Sequence, residues 1–328
     1  MSRSGLPATR LHRLGLLALL LCFAAPSWSA VNCSITNSPV LTFGNVDPFT
    51  QTIQDATVQL NWQCSRGLLD STANTMCLYA SAGNGPIAPR QLSHAAGGPP
   101  LNFNLFRDSA RSIILGQPGE SENRGLAVNV TMPLFTFSAS GTVTLYGRLL
   151  TPLPANTRAG LHENLLINSL VGVRTGGTGQ NCDNISNFAT SSTYTLQTRV
   201  NILDQCRVET TDMDFGTQGL LLNAVDSTSA VRVRCSNQTA FTVQLNDGLH
   251  AAGGNRRMRS ASNNFLIYEL FRDPARNQRW GSSAGQRAAG TGIGPGNIIE
   301  LPVYGRVPAA PAAAPGSYSD TITVTVEF

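Results

Sequence analysis

At 328 residues the chain is long enough for about two domains. Only 13% of residues are charged, against 31 Gly and 18 Pro, a balance that suits turn-rich exported β structure and argues against a cytosolic enzyme. The formal net charge of +4 rests on arginine alone; the chain has no lysine, which excludes lysine-based catalysis and lysine–asparagine isopeptide links.

The elements begin with an export signal. Arg3, Arg10 and Arg13 precede the apolar stretch Leu14 to Ala25, which is too short to span a bilayer, and Ser27-Trp28-Ser29 offers small residues for cleavage before Ala30. Residues 1–29 therefore read as a signal peptide. A lipoprotein reading of Leu19-Leu20-Leu21-Cys22 would put bulky Leu21 where a small residue is expected. Loss of three arginines leaves a mature chain close to neutral, so nucleic acid is not expected as a partner.

The rest of the chain contains a similar unit twice. Cys33 and Cys64 enclose Leu41-Thr42-Phe43-Gly44, and Cys206 and Cys235 enclose Met213-Asp214-Phe215-Gly216. Leu105-Phe106-Arg107-Asp108 returns as Leu270-Phe271-Arg272-Asp273, and Tyr146-Gly147-Arg148 as Tyr304-Gly305-Arg306. We expect domains at 30–200 and 201–328. Exported cysteines form disulfides. The second copy holds only Cys206 and Cys235, so independent domains require Cys206–Cys235; analogy gives Cys33–Cys64, and Cys77–Cys182 remains.

Short alternating runs predict strands at Thr57–Gln63, Val128–Met132, Thr142–Leu145, Tyr194–Val200, Val231–Val233, Phe241–Leu245 and Thr321–Phe328. Separated by Gly, Asn, Asp and Pro turns, they predict an all-β chain of two immunoglobulin-like antiparallel β-sandwiches. On the final strand, Ile322, Val324, Val326 and Phe328 fall on one face, and Tyr318 and Asp320 fix its entry. Residues 175–205 give the first domain further strand-forming chain after Leu161–Val173, the segment that aligns with the final strand of the second. The second domain is thus expected to lack its last strand.

The copies differ in a consistent direction. Where the first has Ile113-Ile114-Leu115, the second has Gln278-Arg279-Trp280, whose tryptophan weakens the contrast; where the first has Pro133-Leu134-Phe135-Thr136-Phe137, the second has Gly292 to Asn297. The first also inserts Gly67-Leu68-Leu69. Leu68, Leu69, Ile113, Ile114, Leu134, Phe135 and Phe137 are either the core of a larger domain or an exposed apolar binding surface.

Catalytic and metal constellations are weak. The glycine run at 292–296 lacks the strand-then-helix context of a phosphate cradle. Gly281-Ser282-Ser283-Ala284-Gly285 matches a nucleophile elbow by letter but has no helix signal, and no histidine follows Ser283. No CxxC unit is present, and His94, His162 and His250 are dispersed, so neither zinc nor any cofactor is expected.

The Cys-to-Phe-Gly start, the Tyr-Gly-Arg segment and the final Gly316-x-Tyr318-x-Asp320-Thr-Ile-Thr-Val-Thr-Val-x-Phe together resemble the spore coat protein U domain family. In the first copy Gly160-Leu161-His162-Glu163-Asn164 departs from the Gly-x-Tyr-x-Asp pattern. The resemblance implies pilin domains that lack their last strand, as in archaic, Csu-type chaperone–usher pili. The missing strand would come from a periplasmic chaperone and then from an adjacent pilin, during assembly at an outer-membrane usher. The two-copy layout is similar to that of the tip adhesin of such pili. With cleavage before Ala30, only three residues precede Cys33, so the chain is expected to accept a strand and have none to donate, which places it at a pilus tip on the cell surface. A structural coat or non-tip fibre subunit, and a free secreted lectin-like sandwich, are the alternatives.

Overall fold

A computed structural model describes residues 30–50, 52–310 and 312–328. The signal-peptide reading of residues 1–29 lies outside them. The described chain is all β apart from one 3-10 turn at Ala284–Gln286.

In chain order the first unit contains β1 (Asn32–Ile35), β2 (Val40–Val46), β3 (Gln54–Ser65), β4 (Ala73–Leu78), β5 (Arg90–His94), β6 (Leu101–Phe106), β7 (Leu126–Thr131), β8 (Ser138–Leu149), β9 (Gly160–Thr175) and β10 (Thr190–Ile202). One layer runs β1-β3-β8-β6-β5. The other holds β9, β10 and β2, with β4 joining β7 to β9, and β5 links the layers by pairing with β9. Leu60, Phe103, Leu145, Leu166, Val171 and Leu196 are fully buried between the layers. β3 shows why this sequence forms a strand: buried Val58, Leu60, Trp62 and Cys64 alternate with exposed polar residues.

The second unit contains β11 (Cys206–Thr210), β12 (Val225–Cys235), β13 (Ala240–Leu245), β14 (Arg256–Ser260), β15 (Phe265–Phe271), β16 (Ala288–Thr291), β17 (Ile299–Val307), β18 (Tyr318–Ser319) and β19 (Val324–Glu327). One sheet runs β11-β12-β17-β15-β14-β18, and a second, β16-β13-β19, packs against it. The expected boundary at residue 200 falls inside β10, which reaches Ile202.

Disulfides join Cys33 to Cys64, Cys77 to Cys182 and Cys206 to Cys235. The repeated motifs do the same work twice. Arg148 pairs with Asp55 at 2.8 Å, and Arg306 with Asp226 at 2.7 Å. The middle glycine of each Tyr-Gly-Arg lets the segment after the first cysteine lie close: a Cβ at Gly147 would sit 2.6 Å from Leu41, and one at Gly305 would overlap Met213. Asp108 accepts from the Ile113 amide at 2.8 Å and Asp273 from the Gln278 amide at 2.7 Å, so each aspartate closes the turn after its strand.

The final strand departs from expectation. Residues 321–328 do not form one continuous strand; β18 pairs with β14 in one sheet and β19 with β13 in the other. The chain crosses between layers at Asp320–Thr323. There the Thr323 amide donates to the Asn246 side chain at 2.9 Å, and Asp320 accepts from the Leu249 amide at 3.0 Å and from the Tyr268 hydroxyl at 2.7 Å.

Candidate functional sites at the two ends of the chain

Two features stand out, an apolar loop pair on the first domain and an open groove in the second. β3 and β8 pair over 12 residues, from Gln54–Leu149 to Ser65–Ser138. At about 3.4 Å per residue the loops beyond Ser65 and before Ser138 stand roughly 40 Å from the opposite end of the ladder. Leu68 and Leu69 lie on one loop and Leu134, Phe135 and Phe137 on the other; all five are exposed, Leu69 by 95% and Phe135 by 81%.

Arg66, only 5% exposed, fastens the two loops together. Its guanidinium donates to the carbonyls of Thr136 (2.9 Å) and Pro133 (2.7 Å) on one loop, and to Gly67 (3.1 Å) and Asp70 (3.3 Å) on the other. It also stacks over the Phe137 ring at 5.5 Å. Phe135 holds φ of 64°, within a turn closed by the Thr136 amide and the Pro133 carbonyl. That region suits glycine, and a bulky residue there is strained. The chain therefore keeps a large apolar ring exposed at a position where local energetics favour glycine.

Ile113 and Ile114 do not join this cluster. Both are half-buried, and Ile114 bridges to Phe106, whose partner on β8 is Tyr146. They lie eight residues along β8 from Ser138, because the turn made by Asp108 folds them back on β6.

The groove lies in the second domain. It has a volume of about 460 Å³ and runs between Met213 and Phe215 on one side and Ile322 and Val324 on the other, with Tyr268 and Leu270 among its walls. Tyr318 and Asp320 line one end. Burial holds the Tyr268 hydroxyl protonated well above the usual tyrosine range, reinforced by its hydrogen bond to Asp320. Val326 is half-buried, and Phe328 is 58% exposed.

The first domain explains what the groove is. There β10 runs antiparallel to β9 and parallel to β2. The side chains of Tyr194, Leu196, Thr198, Val200 and Ile202 point inward, all nearly or fully buried. Under this cover Leu41, Leu166, Val171 and Val173 are fully buried. Their counterparts Met213, Ile322 and Val326 are only half-buried, and Phe328 is 58% exposed. The partner segment differs in the same way: 40–46 is a strand, whereas 211–218 has no ladder, and among the described residues nothing takes the place of β10 beside it.

Met213 and Phe215 match Leu41 and Phe43 in the repeat, and they line the groove beside the expected residues Tyr318, Asp320, Ile322 and Val324. Arg66 and Tyr268 carried no signal beyond their neighbours. Gly281–Gly285 is a loop running into the 3-10 turn. His94 and His162, dispersed in sequence, face each other as paired residues of β5 and β9, with ring centroids 5.1 Å apart. No group of three or more potential metal ligands occurs among the described residues.

Comparison with known proteins fits this architecture. The Spore Coat Protein U domain is matched at residues 20–167 and 192–325, and the chain belongs to that family. Protein U of Myxococcus xanthus is 29% identical over 157 residues, covering 43% of this chain and 87% of Protein U. A chain of the CsuC–CsuE chaperone–tip adhesion subunit pre-assembly complex, from archaic chaperone-usher Csu pili of Acinetobacter baumannii, is similar in fold. Its TM-score is 0.53 at 24% identity, over 90% of this chain and 100% of that one. The CupB6 tip adhesin of Pseudomonas aeruginosa gives 0.40 at 12% identity, over 90% of this chain and 93% of its own.

Proposed function

We propose that this protein is the tip adhesin of a chaperone–usher pilus. Its C-terminal domain accepts a strand, first from a periplasmic chaperone and then from the adjacent pilin at the outer-membrane usher. Its N-terminal domain carries the surface-binding loops outward. The observation that supports this reading is the slot that β10 fills in the first domain and that stands open in the second. An open groove with half-buried aliphatic walls and an unpaired edge is a site for β-augmentation, and left uncovered it is an aggregation hazard.

Leu68, Leu69, Leu134, Phe135 and Phe137 are proposed to contact the surface. Each apolar side chain fully buried at a contact contributes about 1.5–3 kcal/mol, so a few suffice for attachment and biofilm growth. Export to the cell surface follows from the same reading. The structural-coat alternative is favoured by the similarity to Protein U, but it gives no role to exposed phenylalanines on a strained turn.

The test uses a synthetic peptide of residues 190–203 as a stand-in donor, added to the purified full chain. Binding should raise the melting temperature of the second domain and leave the first unchanged. Absence of binding at millimolar peptide would sink the strand-accepting reading. Adhesion is tested separately: Phe135→Ser/Phe137→Ser should fold normally and lose retention on hydrophobic beads, and unchanged retention would sink the role of these loops.

A further inference from the structure

The contacts between the two domains have a second half besides β10. The matched region of the second repeat begins at residue 192, inside β10, yet β10 lies in the sheet of the first domain. The leading strand of one repeat thus completes the repeat before it. Beside this strand, loops of the second domain hold the loop that precedes β9. The amide of Gly296 donates to the Ala155 carbonyl at 2.9 Å, the Asn297 side chain donates to the same oxygen at 3.3 Å, and the Asn237 amide donates to the Thr157 carbonyl at 2.9 Å. Arg158 and Asn237 form a parallel bridge. The glycine run has its explanation here. A Cβ at Gly294 would overlap the Ala155 carbonyl and the Asn156 Cα, and one at Gly296 would lie 2.6 Å from the Ala155 Cβ.

The held loop has a counterpart in the second domain. The turn before β9 is closed by the Thr157 amide and the Pro154 carbonyl at 3.0 Å, three residues ahead of Gly160. The same turn recurs with the Ala313 amide and the Ala310 carbonyl at 2.9 Å, three residues ahead of Gly316. Pro308, Ala309, Ala312 and Pro315 are exposed around it. Small side chains there leave room for a glycine-rich loop to approach the backbone, as at Ala155.

We propose that loop residues 308–310 and 312–315 form a docking surface for a neighbouring Spore Coat Protein U domain, which holds them with a glycine-rich loop as Gly294–Asn297 and Asn237 hold Ala155–Thr157. The occupant is a subunit whose leading strand enters the groove, so the proposal rests on the strand-accepting reading. The joint within this chain is then the pattern for the joint with its neighbour. Strand and loop engage together, and the contact fixes orientation as well as attachment.

The test is a tandem chain in which residues 174–328, carrying Cys182→Ser, follow Phe328. Leu78 pairs with Val171 as its counterpart Val243 pairs with Val326, so Phe328 corresponds to Val173 and the added copy continues in the frame that follows Val173 in the natural chain. A cysteine pair is placed at the proposed contact, Ala314→Cys in the first copy and Asn237→Cys in the appended one. The control is Arg158→Cys/Asn237→Cys in the natural chain, where bridged residues lie within disulfide reach. Cross-linking within about twofold of the control supports the proposal, together with a severalfold loss when Gly294→Val/Gly296→Val is added to the appended copy. If the melting temperature of the inner second domain rises, the groove is filled. A rise without cross-linking overturns the docking surface and spares strand acceptance. No rise and no cross-link overturns both. Cross-linking that survives the valine variants overturns the role of the glycine loop.

Discussion

Arg66 Nη2 donates to the carbonyl of Pro133 at 2.7 Å, across 67 residues of sequence. This bond joins two loops whose bases are also tied by the Arg66 amide to the Phe137 carbonyl at 3.0 Å and the Met132 amide to the Thr72 carbonyl at 2.8 Å, and it comes from a guanidinium that is itself almost wholly buried. Replacing Arg66 with Met keeps the stem and removes the donors. Each carbonyl left buried without a partner costs about 1–3 kcal/mol. Arg66→Met is therefore expected to lower the melting temperature of the first domain and to release Leu134–Phe137, read as faster amide exchange there. Unchanged exchange would show that the loops hold their shape without it.

Phe135 offers the opposite outcome. Its φ of 64° is a glycine-favoured conformation, so Phe135→Gly relieves strain of about 1 kcal/mol or more. Exposed as it is, the ring contributes little packing. The variant is expected to be at least as stable as the natural chain in denaturant titration, yet poorer in retention on hydrophobic beads. A large loss of stability would mark Phe135 as a structural residue. The combination of gain and loss is what a functional site under strain produces.

Asp226 contributes to the acid limb of the second domain. A hydrogen bond from Arg306, helped by the charge of Arg276, holds its carboxyl below the usual value of 3.8 despite some burial. A carboxyl with a lowered folded pKa gives stability that is fully present above the unfolded value and is lost as pH falls through the folded one. Asp226→Asn should therefore lower stability at neutral pH and flatten the decline below about pH 4. Both partners are more than a third exposed, at 40% and 37%, so the change is expected to stay below about 1 kcal/mol. The first domain keeps its own Arg148–Asp55 pair and should respond to acid as before.

Much of this architecture was legible in the chain. Paired Cys, Phe-Gly and Tyr-Gly-Arg segments marked two copies of one sandwich, and alternation placed the long strands. The repeat made the slot that Tyr194–Val200 fills in the first copy comparable with the second, where no described strand takes its place. Two things were not legible. The break at Asp320–Thr323 depends on Asn246, Leu249 and Tyr268, contacts remote in sequence that alternation does not encode. The separation of Ile113 and Ile114 from the other apolar loops depends on the Asp108 turn, since hydrophobicity alone does not say which end of a sandwich a loop reaches. The glycine run at 292–296, which lacks the context of a phosphate cradle, is constrained by close approach of another backbone at Ala155, a contact that its letters do not encode.

The open groove makes a last prediction about backbone amides. In the first domain Leu41 and Thr42 lie in a parallel ladder with Thr198 and Arg199 of β10. Their counterparts, Met213 and Asp214, have no ladder partner among the described residues. Amides without a partner exchange at rates set by local opening, whereas laddered core strands approach protection by global unfolding. Residues 212–215, and those amides of Val324–Glu327 that face away from β13, should therefore exchange faster than Val40–Val46 and Leu166–Val173 in the isolated chain. Adding the peptide of residues 190–203 should slow both segments together, because one inserted strand bonds to both edges. Protection of Val324–Glu327 alone would mean that the peptide adds to one edge and leaves the groove unfilled. Equal protection of both domains before any peptide is added would mean that the second domain is already complete.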